Sequence, residues 1–267
     1  MKPYKLQRIA LGVSYDGSPY HGWQVQDNLP TVQLQLERAL SRVANHPVTV
    51  TCAGRTDAGV HASAQVVHFD TEAERSYYSW VFGANSNLPI GIRVLWAKPV
   101  PKDFHARFSA LSRCYRYLLY NGQIRPGILH HFVGWYHRPL DEEKMRLGAC
   151  YLLGEHDFSA FRGVHCQAKH PVRNLLKFSI QRQRHLLVVE VQANAFLLHM
   201  VRNIVGTLLA VGCGDQEPGW IHQVLISKNR QEAGVTISPK GLYLVSVEYP
   251  EEFSLPDLPV GPFFLPG

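Results

Sequence analysis

The chain has no long uncharged apolar stretch. Its longest apolar run, Ala195 to Val211, contains His199, Arg202 and Asn203, and the cost of a charge in lipid argues against a membrane span. The run reads instead as a buried helix. The start, Met1-Lys2-Pro3-Tyr4-Lys5-Leu6-Gln7-Arg8, lacks the apolar core of a secretory leader, which points to a cytoplasmic protein. Cysteine is scarce: Cys52, Cys114, Cys150, Cys166 and Cys213 are odd in number, scattered and never in a Cys-x-x-Cys pair. This argues against a disulfide framework and a structural zinc site, and fits reduced thiols. The 14 histidines include no His-Glu-x-x-His pattern, and the neighbours His130 and His131 are awkward as joint ligands, so no metal is expected.

Acidic residues are also missing from two long stretches. The formal net charge is +6 and the pI about 9.1, which points to an anionic partner without identifying it. From Phe104 to Leu140 there is no Asp or Glu, while Arg107, Arg113, Arg116, Arg125 and Arg138 recur among Phe104, Phe108, Tyr115, Tyr117 and Tyr120. Phe158 to Val189 is acid-free as well and carries Arg162, Lys169, Arg173, Lys177, Arg182 and Arg184. Arginine among aromatics suits phosphate binding and base stacking, so the pair of runs favours a nucleic acid.

What is present is an ordinary globular composition, 46% hydrophobic and 18% charged over 267 residues, enough for two domains with real cores. The pattern predicts a strand over Ile9 to Tyr15, then a helix capped by Thr31 with Val32, Leu36, Ala39, Leu40 and Val43 on one face. Strands follow at Val48 to Ala53 and Ala64 to Phe69, a helix near Glu72 to Ala84, and a strand at Ile92 to Ala97, with Pro99-Val100-Pro101 as punctuation. The second half reads as strand Tyr115 to Tyr120, helix Asp141 to Leu153, and strands Asn174 to Gln181 and Leu186 to Ala193. Helices Ala195 to Val211 and Pro218 to Ile226 and strand Leu242 to Tyr249 complete it. This mixture is α+β in class. The prolines after Tyr249 predict an extended tail.

Two places bear chemistry. Gly54-Arg55-Thr56-Asp57-Ala58-Gly59-Val60-His61-Ala62 sets a carboxylate between glycines able to hold a tight turn between two strands. In the Ala195 helix the polar residues His199, Arg202, Asn203 and Thr207 share one stripe, and a buried Arg202 requires a carboxylate partner.

The nonapeptide resembles the signature of the tRNA pseudouridine synthase A family. Further segments in the same order carry the resemblance: Tyr15-Asp16-Gly17 with Tyr20-His21-Gly22-Trp23-Gln24, Phe104-His105-Ala106-Arg107-Phe108-Ser109-Ala110, Arg116-Tyr117 after Tyr115, Gly154-Glu155-His156-Asp157-Phe158, and Asn194-Ala195-Phe196 through Met200-Val201-Arg202-Asn203-Ile204-Val205-Gly206. The fold implied is α+β, two ferredoxin-like halves whose sheets join around a central basic cleft. The organisation expected is a half over residues 1–105 carrying the Asp57 loop, a half over 106–249 carrying Tyr115 and Arg202, and a proline-rich tail over 250–267.

The activity implied is isomerisation of uridine to pseudouridine in the tRNA anticodon arm, at positions 38, 39 and 40, without metal or organic cofactor. By resemblance Asp57 is the catalytic aspartate, Arg202 its partner, Tyr115 the active-site tyrosine, and Leu242 a wall of the base pocket. A target uridine must leave the stack to reach a carboxylate, and the resemblance gives Arg55 that flipping role. Phe104, His105, Arg107, Phe108, Lys169 and Arg173 are candidates for RNA backbone contact, together with Arg75. A homodimer is implied too. Two other readings compete: an RNA-binding module without chemistry, which leaves Arg202 and the Asp57 loop unexplained, and a metal-assisted phosphoesterase using Asp57, Asp70, His61 and His68.

Overall fold

The computed structural model describes residues 6–262 and 265. In chain order the elements are β1 (Gln7–Tyr15), α1 (Val32–Ala44), β2 (Thr51–Cys52), β3 (His61–Thr71), α2 (Ala84–Asn87), β4 (Ile92–Val100), β5 (Ser112–Asn121), β6 (Gly134–Tyr136), α3 (Glu142–Cys150), β7 (Gly154–Asp157), β8 (Val172–Gln183), β9 (Leu186–Ala193), α4 (Met200–Gly212), α5 (Trp220–Ser227) and β10 (Leu242–Glu248). They form two compact units. One runs through Leu111 and resumes at Tyr243, and the other spans Ser112–Leu242. The chain therefore returns to its first unit at the end, whereas the sequence-based division set boundaries after residues 105 and 249.

In the first unit β1 lies between β3 and β4, antiparallel to both, and β10 runs parallel to β3 with Tyr243 opposite His61. The helix after Thr31 forms, with Val32, Leu36, Ala39 and Leu40 buried, but the Thr31 hydroxyl makes no capping bond. The strand expected over Val48 to Ala53 shrinks to β2. Side chains of α1 take its donors: Ser41 Oγ accepts from Val48 N–H at 2.9 Å and Glu37 Oε1 from Val50 N–H at 3.0 Å. The helix expected from Glu72 begins later, because Ser76 Oγ accepts from Ser79 N–H. A π-helical turn, Ser79–Gly83, then leads into α2. Pro99 does not end β4; it sits opposite Ile9 on a strand paired on one side only, where a missing N–H is tolerated.

In the second unit β9 pairs antiparallel with β5 and β8, β7 adds to β8, and the short β6 runs parallel to β5. β6 and β7 are too short for a periodic signal. The helix expected from Ala195 starts at Met200, since Asn194 Oδ1 accepts from Asn174 N–H and Ala195 N–H and His199 adopts a left-handed φ of 59°. The tail is mostly irregular, as expected, apart from a 3-10 turn at Glu251–Phe253. Its positions 263–264 and 266–267, Pro266 among them, lie outside the described residues.

Candidate active site

Asp57 sits half-exposed and Arg55 exposed at the tip of a loop whose backbone is held on every side. The fully buried Gln65 of β3 donates to Gly54 O at 2.7 Å, and Tyr15 Oη bonds Thr56 Oγ1 at 2.8 Å. Trp23 N–H reaches Thr56 O at 3.0 Å, and Val60 N–H closes the turn on Asp57 O at 3.1 Å, with Gly59 at φ 77°. Glycine is required opposite this turn. A Cβ on Gly17 would lie 1.9 Å from Val60 O, and one on Gly22, itself at φ 89°, 2.8 Å from Thr56 O. The motif segments at 15–24 and 54–62 are thus one backbone-to-backbone assembly.

Asp16 and His61 extend it; the sequence offered His61 only as a metal ligand beside Asp57 and gave Asp16 no role of its own. His61 is buried and stacks on Tyr243 with ring centroids 4.6 Å apart. Its Nδ1 lies 3.2 Å both from Gly17 N and from Asp16 Oδ1. One nitrogen cannot serve both: the neutral ring accepts from Gly17, and only a protonated Nδ1 donates to Asp16. Burial works against ionisation of Asp16, but hydrogen bonds with His61 and Ser18 outweigh it and bring the carboxyl down to about 2. Their signal was contiguity, since both fall inside the motifs.

The segment from Phe104 is an aromatic stack with one buried end. Phe104 has no exposed surface, so its side chain anchors the segment instead of touching a ligand. His68, buried on β3, stands edge-on to Phe104 at 6.0 Å and to His105 at 4.8 Å, and His105 stacks on Phe108 at 4.3 Å. Phe108 is 77% exposed, with the Arg107 guanidinium 5.6 Å from its ring centre. Burial, then the charges of Arg8 and His105, lower His68 to about 4, and burial followed by Arg8 lowers His105. Both rings are neutral at pH 7 and accept backbone donors: His68 Nδ1 from Ala106 N–H, and His105 Nδ1 from Arg107 and Phe108 N–H.

The other cationic candidates differ among themselves. Arg75 is exposed but ties its Nε to Val43 O at 2.9 Å. Lys169 is exposed. Arg173 is buried, donates to the carbonyls of His170 and Val172, and leaves its buried Nε without a hydrogen bond. Burial, joined by the charge of Arg162, lowers its pKa. Its side chain belongs to the interior of the second unit and does not present a face.

In that unit Tyr115 is buried, its ring edge-on to Phe196 at 5.0 Å. Tyr117, more deeply buried, donates to Ser238 O at 2.9 Å, and burial raises its phenol above the ordinary range. Arg202 Nε donates to Ile237 O at 2.8 Å. The stripe on α4 holds the chain that leads to Leu242. Thr207 Oγ1 accepts from Gly234 N–H, Asn203 Oδ1 from Thr236, and a Cβ on Gly206 would lie 1.8 Å from Val235 O. Leu242, buried at 6% exposure, follows Gly241, which has no room for a side chain against Leu118 O. His199 precedes α4 and is outside the stripe.

Among the described residues no three His, Cys, Asp or Glu side chains converge as metal ligands do, and no helix is long and apolar enough to cross a membrane. His61 and His68 serve different assemblies. A family model described as tRNA pseudouridine synthase matches residues 12–109 and 149–250. The chain is 63% identical over 261 residues to tRNA pseudouridine synthase A of Coxiella burnetii, covering 98% of this chain and all of that protein. It is 56% identical over 259 residues to the proteins of that name from Vibrio cholerae and Vibrio parahaemolyticus, covering 97% of this chain and 98% of each. Matches of this extent, falling on the segments that build the Asp57 loop, establish that the chain belongs to the tRNA pseudouridine synthase family, whose members are isomerases.

Proposed function

We propose that this enzyme isomerises uridines 38, 39 and 40 of the tRNA anticodon arm, with Asp57 as nucleophile. In the net reaction the C1′–N1 bond breaks, a C1′–C5 bond forms, and the proton on C5 is replaced by one on N1, with no oxidation or hydrolysis. The observation that carries the reading is the half-exposed carboxylate of Asp57 on a loop fixed by Gln65, Tyr15 and two glycines that admit no side chain. Such preorganisation keeps a reacting group in place without ordering it at each turnover.

Arg202 orients the Asp57 carboxylate. Tyr115 packs on the uracil and Leu242 closes the other side of its pocket, which retains the detached base. Arg55 stabilises the turned-out nucleotide. Arg107, His105 and Phe108 contact the RNA, Phe108 by stacking, with Lys169 and Arg75 as phosphate contacts. The enzyme is a cytoplasmic homodimer whose tRNA spans both subunits, a reading supported by the family resemblance alone.

The test is to incubate uridine-containing tRNA with the protein in EDTA and digest the RNA to nucleosides. Pseudouridine at 38 to 40 supports the proposal. Cleaved RNA, or uridine left unchanged until metal is restored, overturns it in favour of metal-assisted chemistry.

A further inference from the structure

We propose that the C-terminal strap, residues 249–258, is a positioning element for the Arg107–Phe108 contact, acting through Tyr249 and Phe253. The proposal rests on the reading of that pair as an RNA contact. Ala106, immediately before the pair, has no exposed surface, and both of its backbone polar groups are held by side chains. Its N–H donates to His68 Nδ1 at 3.1 Å, and its carbonyl accepts from Tyr249 Oη at 2.6 Å. One holder comes from the sheet and the other from the strap.

The strap is itself fastened where it can bear on this segment. Phe253 is buried in one cluster with Phe104, Ala106, Trp96 and Val100. Its ring stands edge-on to Phe104 at 5.0 Å, and the Tyr249 ring lies against Phe104 at 5.2 Å. Lys98 Nζ donates to the carbonyls of Phe253 and Ser254, and Leu111 N–H to Glu248 O at 2.8 Å. The buried end of the aromatic stack is therefore gripped by the strap, while its exposed end is Phe108. Removing the Tyr249 hydroxyl frees the Ala106 carbonyl and lets the peptide before Arg107 rotate, without touching the Asp57 loop.

The test measures tRNA affinity, KM and kcat for Tyr249→Phe, Arg107→Ala and the double variant, with thermal unfolding for each. Tyr249→Phe is expected to weaken tRNA binding about fivefold, the worth of one ordinary hydrogen bond. KM should rise with kcat near wild type, and the melting temperature should fall slightly because the buried Ala106 carbonyl loses its donor. In the Arg107→Ala background the same change should cost less than it does alone, because Arg107 is one of the two side chains the strap positions. Phe253→Ala is expected to weaken binding more, and Phe253→Leu to restore most of it. Wild-type affinity for Tyr249→Phe, or losses that multiply in the double variant, overturns the strap's role while Arg107→Ala still weakens binding. If Arg107→Ala leaves affinity unchanged, the RNA reading of the pair fails and the strap's role fails with it.

Discussion

The Asp57 loop and the Arg107–Phe108 segment both project from the first unit, and both are secured by buried polar side chains on their backbones. They are secured differently. Around Asp57 the brace is backbone on backbone, with Gly17 and Gly22 so close to Val60 and Thr56 that no Cβ fits. The other segment rests on a pile of rings, Phe104, His68, His105 and Phe108, that ends in open solvent. A glycine cage has few alternative arrangements, whereas stacked rings slide at modest cost. The contrast matches the two tasks, since bond changes demand fixed atoms and a stacking contact must accept different bases.

The largest effect that tests this division is Asp57→Asn. The amide keeps the shape but not the charge, so turnover should fall on the order of ten-thousandfold while tRNA affinity stays within about twofold. Turnover near wild type would remove Asp57 from the chemistry. Arg55 stands between the two tasks. If it stabilises the extruded nucleotide, Arg55→Ala should slow single turnovers about tenfold to a hundredfold on a paired hairpin and far less where the target uridine is mismatched, extrusion costing a few kcal/mol. Equal losses on both RNAs would move Arg55 out of flipping.

The Asp57 loop was legible because its residues are contiguous. Its braces were not, since Gln65, Tyr15 and Gly17 reach it across strands. For the same reason α1 could not be seen taking the donors of Val48 and Val50. The fold class was legible from periodicity, although local polar groups moved the helix starts at Ser76 and Asn194. The acid-free runs were the least transparent. Arg116 and Lys177 both pair with Glu190, one residue beyond the second run, Arg182 with Glu142, and Arg138 with Asp215. A stretch without acids along the chain can meet acids from a neighbouring strand, as with Glu190, from a helix, as with Glu142, or from just past a helix end, as with Asp215.

The cage itself is tested by Gly17→Ala. The atom met is a backbone carbonyl, Val60 O, so the loop must shift. The expected cost is about 1–3 kcal/mol of stability, seen as a lower melting temperature, with kcat reduced and tRNA affinity kept. If melting temperature and kcat both match wild type, the loop is as tolerant as the ring stack and the contrast fails.

The smallest effect separates two cations that lie four residues apart. Lys169 is exposed, while Arg173, near the start of β8, is buried and donates to the carbonyls of His170 and Val172. A phosphate contact releases counterions and a buried structural cation does not. Lys169→Ala should therefore make the slope of log affinity against log salt shallower by about 0.7–0.9, with melting unchanged. Arg173→Ala should leave the slope as it is and lower the melting temperature, because the carbonyls of His170 and Val172 lose their donor. Affinity titrations from low to moderate salt, paired with thermal melts, read both quantities on the same preparations. A shallower slope for Arg173→Ala at unchanged stability would show that the guanidinium leaves its pocket to meet RNA, and the second acid-free run would then be a binding face in its own right.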